Sequence, residues 1–404
     1  MQAGTLITPR LAEEAINSRL TCLPLESLPL TQCVGGTLRE NVYAERDQPP
    51  FDRVTMDGIA VDSEALRRGV RRFQIQATQA AGSPPLKLKT GEYAIEVMTG
   101  AVLPPGSDNV IPVEQIELAD GFAALRANVT TTAFHNVHRR GSDGRQGALL
   151  LEAGTLLRAP EIAVVASAGM ARVRVSSQPA VMVISTGDEL IEPGEPIADY
   201  QVRRSNAYAI TATLRKRGFG RIGDDHVPDD ADRLRERLAS HLTTHEFVVL
   251  SGGVSMGKFD LVPKVLQQLG VQQVFHHIAQ RPGKPMWFGI GPQGQAVFGL
   301  PGNPVSTLVC LIRYVIPAMA EAMGTKRLAP ERLALAAPIT FQAALAYFLP
   351  VAIAHDDWGR PWATPRPPNG SGDFLSLAST DGFVELPPGP NTYPKGFVTS
   401  VYRW

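Results

Sequence analysis

A chain of 404 residues is long for one hydrophobic core, so two to four domains are expected. Hydrophobic residues at 44% and charged residues at 19% exclude a disordered chain. Lysine plus arginine and aspartate plus glutamate both number 39, a zero formal charge that argues against nucleic-acid binding by bulk charge and leaves only a local basic pocket.

Residues 8–20 (TPRLAEEAINSRL) predict a helix, with Thr8 as cap, Pro9 in the first turn, and Leu11, Ala15, Ile16 and Leu20 on an apolar face. From there to about residue 176 the pattern is short strands between Gly and Pro turns, as in GEYAIEVMTGAVLPPGSDNVIPVEQIEL, with a short helix after Pro160. The first helix must then pack outside this β-rich part or on a partner. From Pro179 strand, loop and helix alternate. Strand 180–185 (AVMVIS) precedes a helix at 205–217, opened by Ser205 or Asn206 and stopped by Gly218. A helix at 229–242 follows, with Asp229 and Asp230 at its N-terminal dipole, then strand 247–251, helix 260–270 and strand 274–279. Strands near 286–290 and 296–300 precede a helix beginning near Pro304. This alternation predicts a doubly wound parallel sheet with helices on both faces over residues 177–325. Beyond about 326, Pro-rich and β-prone sequence predicts a small β domain. The longest apolar stretch, 305–319, is broken by Arg313 and Pro317, and no basic segment followed by an apolar run opens the chain. These features predict a soluble cytoplasmic protein without a membrane segment.

Three of the sheet strands end in loops rich in small residues: STGDEL (Thr186 onward), SGGVSMGKFD (Gly252, Gly253, Ser255, Asp260) and LPGNPVS (Pro301, Gly302, Pro304). In an open α/β sheet such strand ends face one crevice, and glycine lets backbone N–H groups approach an anion. One such loop alone would be no more than a tight turn; three on one edge predict a crevice for a phosphorylated small molecule. Neither a P-loop nor a G-x-G-x-x-G fingerprint occurs, which argues against ATPase and dehydrogenase readings.

The same edge gathers Asp188, Glu189, Asp229 and Asp260. Carboxylates beside phosphates commonly hold Mg²⁺, although helix capping accounts equally well for Asp229 or Asp260 taken singly. In HHIAQRPGKPMWFG, His276, His277, Arg281 and Lys284 form either an oxyanion-binding turn or a solvated edge loop. His241 and His245 lack an H-E-x-x-H frame and read as a surface helix end, while His135 and His138 read as exposed. Cys22, Cys33 and Cys310 stand apart without a C-x-x-C pair, which argues against disulfides or a thiolate zinc site. In the first half, RVTMDGIA, VMTGAVLPPGSDNVIPVE and RRGSDGRQG carry acids on turns; Asp57-Gly58 and Asp143-Gly144 by themselves are hairpin signals.

In order along the chain, MDGIA, MTGAVLPPGSD, RRGSDGRQG, STGDEL, SGGVSMG, RPGKP, LPGNPVS and GSGDFLSLASTDGFVELP resemble the molybdopterin molybdenumtransferases, the bacterial MoeA proteins and the E domain of gephyrin. The resemblance implies four domains. An interrupted N-terminal domain with a dimer helix would span 1–26, 42–52 and 145–176; an inserted β domain 27–41 and 53–144; a molybdopterin-binding α/β domain 177–326; and a C-terminal β domain 327–404. It further implies a homodimer with an active site shared between subunits, and insertion of molybdate into the dithiolene of molybdopterin adenylate with Mg²⁺ and release of AMP. A molybdopterin adenylyltransferase and recipient molybdoenzymes are the implied protein partners. Carried over residue by residue, the functional acids fall on Asp57, Asp143, Glu189, Asp229 and Asp260, with Asp188, Glu189, Asp229 and Asp260 toward the metal. Thr99, Thr186, Gly252, Gly253, Ser255, Pro301, Gly302 and Pro304 fall on the pterin and phosphate side.

Departures touch the molybdate side. His277 and Arg281 stand where the family often has lysines, Lys284 stands as expected, and no Arg occurs between Arg332 and Arg360. Ser371 or Ser376 matches the oxyanion-binding serine. Three readings follow: a molybdenum insertase, an insertase for another oxyanion such as tungstate, and a molybdopterin-binding or scaffold protein. The retained acids favour the first two.

Overall fold

The computed structural model describes residues 6–254 and 261–404. The chain divides into two compact units, one of residues 1–39, 154–157 and 174–404, the other of residues 40–153 and 158–173.

In the first unit a six-stranded sheet runs in the order Ile222–Val227, Val181–Thr186, Phe247–Ser251, Ala296–Leu300, Trp287–Ile290, Gln272–Phe275. The three central strands are buried along their whole length, which is why they read as uninterrupted apolar runs. Two features differ from the expected parallel sheet. Trp287–Ile290 is antiparallel to both neighbours. The turn 291–295 joining it to Ala296–Leu300 is far too short for a crossover helix, so the two strands must form a hairpin. Ile222–Val227 is an edge strand that hydrophobicity does not announce, pairing residue for residue with Val181–Thr186.

Helices Ser205–Lys216, Ala231–Thr244, Val262–Gln268 and a long helix from Pro304 to Ala322 cover the sheet. Asp230 caps the second through its bond from the Arg233 N–H at 2.8 Å, so Asp229 lies in the loop before the helix rather than on it. Arg204 occupies the N-cap position of the first, without a side-chain cap. Within the long helix Pro317 has no N–H to offer the Arg313 carbonyl, and Leu311–Val315 widens into a π turn. This helix is long and apolar enough to cross a bilayer, but 78% of it is buried inside the fold, as a core helix would be.

The N-terminal helix is Pro9–Asn17, capped by Thr8 as expected. Ala12 and Ile16 are its buried face and join the α/β core, whereas Leu11 is exposed. The helix therefore packs on the α/β layer of its own chain. The C-terminal strands Glu331–Leu335, Ala346–His355, Pro361–Pro365, Gly382–Leu386 and Val398–Arg403 close on themselves, because Ala346–His355 pairs with both Pro361–Pro365 and Gly382–Leu386. Gln280–Arg281 adds to this barrel beside Ala346 and Tyr347.

The second unit is built on a six-stranded sheet in the order Asn109–Pro112, Gly58–Val61, Tyr93–Val97, Arg72–Gln79, Phe122–Leu125, Ile116–Ala119. Asp57-Gly58 is not a hairpin turn. Gly58 opens a buried strand so close to Ile111 that a Cβ would meet its carbonyl oxygen at 2.0 Å. The helix expected after Pro160 is Ala159–Ser167.

Candidate ligand-binding crevice

From Val181–Thr186 the chain continues to the edge strand on one side, and its next strand, Phe247–Ser251, lies on the other. The sheet order reverses between these two, and ligands of open α/β sheets bind at that point. A cavity of roughly 590 Å³ opens there, lined by Thr186, Glu189, Arg204, Asn206, Gly252 and Asn303 among others.

Its polar groups are set by the loops. Gly252 holds φ +99° and donates its N–H to Leu300 O at 3.2 Å. A Cβ there would lie 2.8 Å from Thr186 O, and one on Gly253 would lie 2.8 Å from Thr186 Oγ1. The loop thus packs directly on the end of the neighbouring strand. Asn206 Nδ2 donates to Ser251 Oγ at 2.9 Å and to Gly302 O at 2.8 Å. Both its hydrogens are spent, which leaves Oδ1 as a buried acceptor. Asn206 Oδ1 and Thr186 Oγ1 have no hydrogen-bond partner among the described residues. Buried polar atoms are ordinarily paired, so two orphans in one crevice point to groups supplied from outside.

The remaining small-residue positions frame the same cavity. Pro301 O accepts from Thr307 Oγ1 at 2.6 Å, Gly302 and Pro304 line the wall, and Pro304 begins the long helix. Ser371 reaches this wall: its Oγ accepts from Asn303 Nδ2 at 2.8 Å and its carbonyl from the Val305 N–H at 3.0 Å. Ser376 does not; its hydroxyl donates to Asp373 O within a local turn.

Of the acids, Glu189 lines the cavity, and Asp188 Oδ1 accepts from the Asp229 N–H at 3.1 Å, which brings the two loops together. Ser255 and Asp260 lie outside the described residues. Among the described residues no three His, Cys, Asp or Glu side chains converge as a ready-made metal cage.

Sequence reasoning missed Arg204 and His226. The Arg204 side chain is only 6% exposed and pairs with Glu192 and Asp224, while His226 Nε2 donates to Gly187 O at 3.0 Å. His241 is buried, not at a surface helix end, and bonds Asp225 Oδ2 at 2.6 Å. Burial works against the Asp225 carboxylate, but Arg237 and His241 more than offset it and hold the group below the usual range.

The basic segment is a tied turn rather than a free loop. The Ile278 N–H donates to Lys284 O at 3.0 Å, and buried Gln280 bonds Pro282 O at 3.1 Å. Arg281 and Lys284 are exposed; His276 and His277 stack half-buried at 4.4 Å. Burial, then the charges of His276 and Lys284, hold His277 below the usual imidazole range, so it is largely uncharged at neutral pH.

In the second unit Asp57 Oδ1 accepts from both the N–H and the hydroxyl of Thr99 at 2.6 Å. These bonds, the hydroxyl's first, keep the carboxyl below its ordinary value. Asp143 Oδ1 is 2.8 Å from His138 Nε2, and His138 Nδ1 is 3.0 Å from Arg53 Nη2. His138 is therefore half-buried and engaged, not exposed.

Fold and crevice together define a doubly wound α/β ligand-binding protein with an attached barrel and a β-rich second unit. Three family models match in chain order: the MoeA N-terminal region (domain I and II) over residues 8–169, a probable molybdopterin binding domain over 182–321, and the MoeA C-terminal region (domain IV) over 332–404. A molybdopterin molybdenumtransferase of Synechocystis sp. is 39% identical over 92% of this chain and 93% of its own length. One of Synechococcus elongatus is 31% identical over 96% and 98%. Two crystal structures of the molybdopterin biosynthesis MoeA protein of Pyrococcus horikoshii superpose with TM-scores of 0.79 and 0.82. They are 29% and 26% identical, and each covers 99% of this chain and 99% or more of its own. The chain belongs to the molybdopterin molybdenumtransferase (MoeA) family.

Proposed function

We propose that this chain inserts molybdate into the dithiolene of molybdopterin adenylate, with Mg²⁺-dependent release of AMP. The observation that carries the reading is the crevice at the sheet's switch point, where glycine loops meet two buried polar atoms that have no hydrogen-bond partner among the described residues. The name of its relatives over more than nine-tenths of the chain supports the chemistry.

Each crevice group has a defined task in that reaction. Gly252 and Gly253 let the loop pack directly against Thr186, which brings its backbone to the crevice where the phosphates would lie. Asn206 Oδ1 accepts from an N–H of the bound heterocycle, since its own hydrogens are already spent. The Ser371 hydroxyl, accepting from Asn303, keeps its proton free to donate to an oxyanion. Outside the crevice lining, exposed Lys284 and Arg281 are the family positions that would add positive charge toward molybdate, whose proximity to the sulfurs lowers the barrier. Magnesium fits the donors present, because Asp188, Glu189 and Asp229 offer hard oxygens and Mg²⁺ takes only one or two carboxylates beside phosphate. When bound, it supplies neutralisation of the phosphoanhydride charge.

Incubating the pure protein with molybdopterin adenylate, Mg²⁺ and molybdate tests this by AMP release and active molybdenum cofactor. No AMP above background would sink the enzyme reading and leave the scaffold. A second reading is an insertase for another oxyanion such as tungstate, since uncharged His277 departs from the lysine the family often has there; AMP with tungsten but not molybdenum cofactor would support it. Homodimeric assembly, exchange with a molybdopterin adenylyltransferase and recipient molybdoenzymes, cytoplasmic residence and the four-domain division belong to the same proposal. A monomeric mass at micromolar concentration would remove the first.

A further inference from the structure

Residues 187–203 connect strand Val181–Thr186 to helix Ser205–Lys216, and among the described residues their ladder is the short pairing of Leu190–Ile191 with Val202–Arg203. This strap carries Asp188 and Glu189. At its far end sits Arg204, almost fully buried in the crevice wall. A guanidinium stays in such a place only when its donors are matched. Nε donates to Ser185 Oγ at 3.1 Å, Nη1 to Glu192 Oε1 at 3.2 Å, and Nη2 to the Asp224 carboxylate and to Asp225 O at 3.0 Å. One side chain therefore joins the central strand, the strap and the edge strand.

The near end of the strap is held by the same edge strand. Gly187 O only accepts, so His226 Nε2 carries the hydrogen of that 3.0 Å bond. Asp224 and His226 are two apart on Ile222–Val227 and share one face of it. That face fastens the strap at Gly187 and at Arg204. The loop leaving the same strand then supplies the Asp229 N–H to Asp188.

Stability alone gives little reason to bury a guanidinium here, since replacing buried charge by packed hydrophobes is often neutral or stabilising. What a charged fork adds is direction, as its donors accept one arrangement of partners. We infer that Arg204 is a positioning residue: together with His226 it fixes both ends of segment 187–203 and so sets Asp188 and Glu189 at the crevice. This rests on the proposed function only in the use made of those two carboxylates.

Hydrogen exchange on the free protein tests the positioning directly. The Val202 N–H bonds Glu189 O at 2.9 Å and the Arg204 backbone N–H bonds Ile191 O at 3.1 Å, so both amides report the strap's closure. In Arg204→Gln they are expected to exchange faster by on the order of 10- to 100-fold, the factor carried by a lost charge-assisted hydrogen bond. Amides of Phe247–Ser251 are expected to keep their rates. Folding should survive, because Glu192 and Asp224 retain 46% and 43% side-chain exposure and re-solvate. Glu192→Ala, which removes one arm of the fork, is expected to move the same two amides in the same direction by less. Unchanged strap amides in both variants would overturn the inference, as would equal acceleration in Phe247–Ser251. In turnover, Arg204→Gln is expected to raise the Mg²⁺ concentration for half-maximal AMP release; an unaltered requirement beside a loosened strap would overturn the link to the carboxylates. Absence of AMP from the unmutated protein would defeat the proposed function alone, since the exchange rates need no substrate.

Discussion

Gly252→Ala offers the most direct physical probe of the crevice. Two costs add. Gly252 holds φ +99°, and a non-glycine residue forced into such a conformation loses about 1–3 kcal/mol. The new Cβ would also stand 2.8 Å from Thr186 O and 3.1 Å from Thr186 Oγ1. Thr186 ends a strand paired on both sides, and the Gly252 N–H is held by Leu300 O, so neither backbone yields freely. Overpacking of this kind costs about 1–3 kcal/mol. Gly218→Ala is the matched control, with φ +86° and open space around the added methyl, so it carries the backbone cost without the steric one. The melting temperature should drop by roughly 1–2 °C per kcal/mol in a unit of this size, and therefore further for Gly252→Ala than for Gly218→Ala. The loop relieves its contact by moving off Thr186, which displaces the groups that meet phosphate. Calorimetric titration with AMP should accordingly show affinity lost by about 10- to 100-fold in Gly252→Ala, the effect of one or two misplaced hydrogen bonds, and unchanged in Gly218→Ala. Equal melting losses with intact AMP binding in both variants would refute this account of the loop.

Asp57 is an exposed acceptor for two Thr99 bonds, so Asp57→Asn should leave the melting temperature essentially unchanged while lowering turnover on the order of 100-fold or more. Parallel losses of melting temperature and rate would remove its catalytic assignment. His277→Lys places a charge where this chain has a largely neutral imidazole, and should tighten molybdate binding measured by calorimetry; an unchanged affinity would exclude this turn from the oxyanion site. Glu161 provides the pH test. Its bonds from the Arg158 side chain lower its carboxyl from 4.5 to about 2 on folding. An acid depressed in this way stabilises the fold fully above its unfolded value, and the contribution fades as pH falls from about 4.5 through about 2. Carbon-detected titration should find the low midpoint, and Arg158→Ala should return it toward 4.5; an unmoved midpoint would contradict the cap.

The legible parts of this fold are those where local chemistry and tertiary role coincide. Val181–Thr186, Phe247–Ser251 and Ala296–Leu300 are buried on both faces, so composition alone revealed them. Ile222–Val227 was invisible because its middle is Asp224-Asp225. Alternation sends one acid to Arg204 and the next to Arg237 and His241, so each face of an edge strand is neutralised by side chains distant in sequence. The same limit hid the contacts of Arg204, Asn206 and His226. Asn206 read as a helix opener, yet its amide reaches Ser251 and Gly302, partners that no local pattern indicates. By contrast Asp57 with Thr99, and the small-residue loops around Gly252 and Pro301, were found as strings of motif. Ser371 and Ser376 were equivalent in sequence; the bonds from Asn303 and from the Val305 N–H place the first at the crevice wall, while the second bonds within its own turn.

Two buried arginines show how chemistry alone underdetermines role. Arg313 is as deeply placed as Arg204, and burial opposes its charge, but Glu385 and then the neighbouring groups hold it firmly protonated. Its partners are Glu13 on the N-terminal helix and Glu385 on the barrel, so it joins elements of the scaffold to one another. The partners of Arg204 are a strand end, an edge strand and a strap beginning at the crevice acids. Both forks fix direction. Removing either is costly, but the expected consequences separate: loss of Arg313 should loosen the packing of helix on barrel, while loss of Arg204 should free a segment that lines the crevice through Glu189, Leu190, Val202 and Arg203. Function is read from the elements a buried charge connects, and here those elements are the ones that carry Asp188 and Glu189.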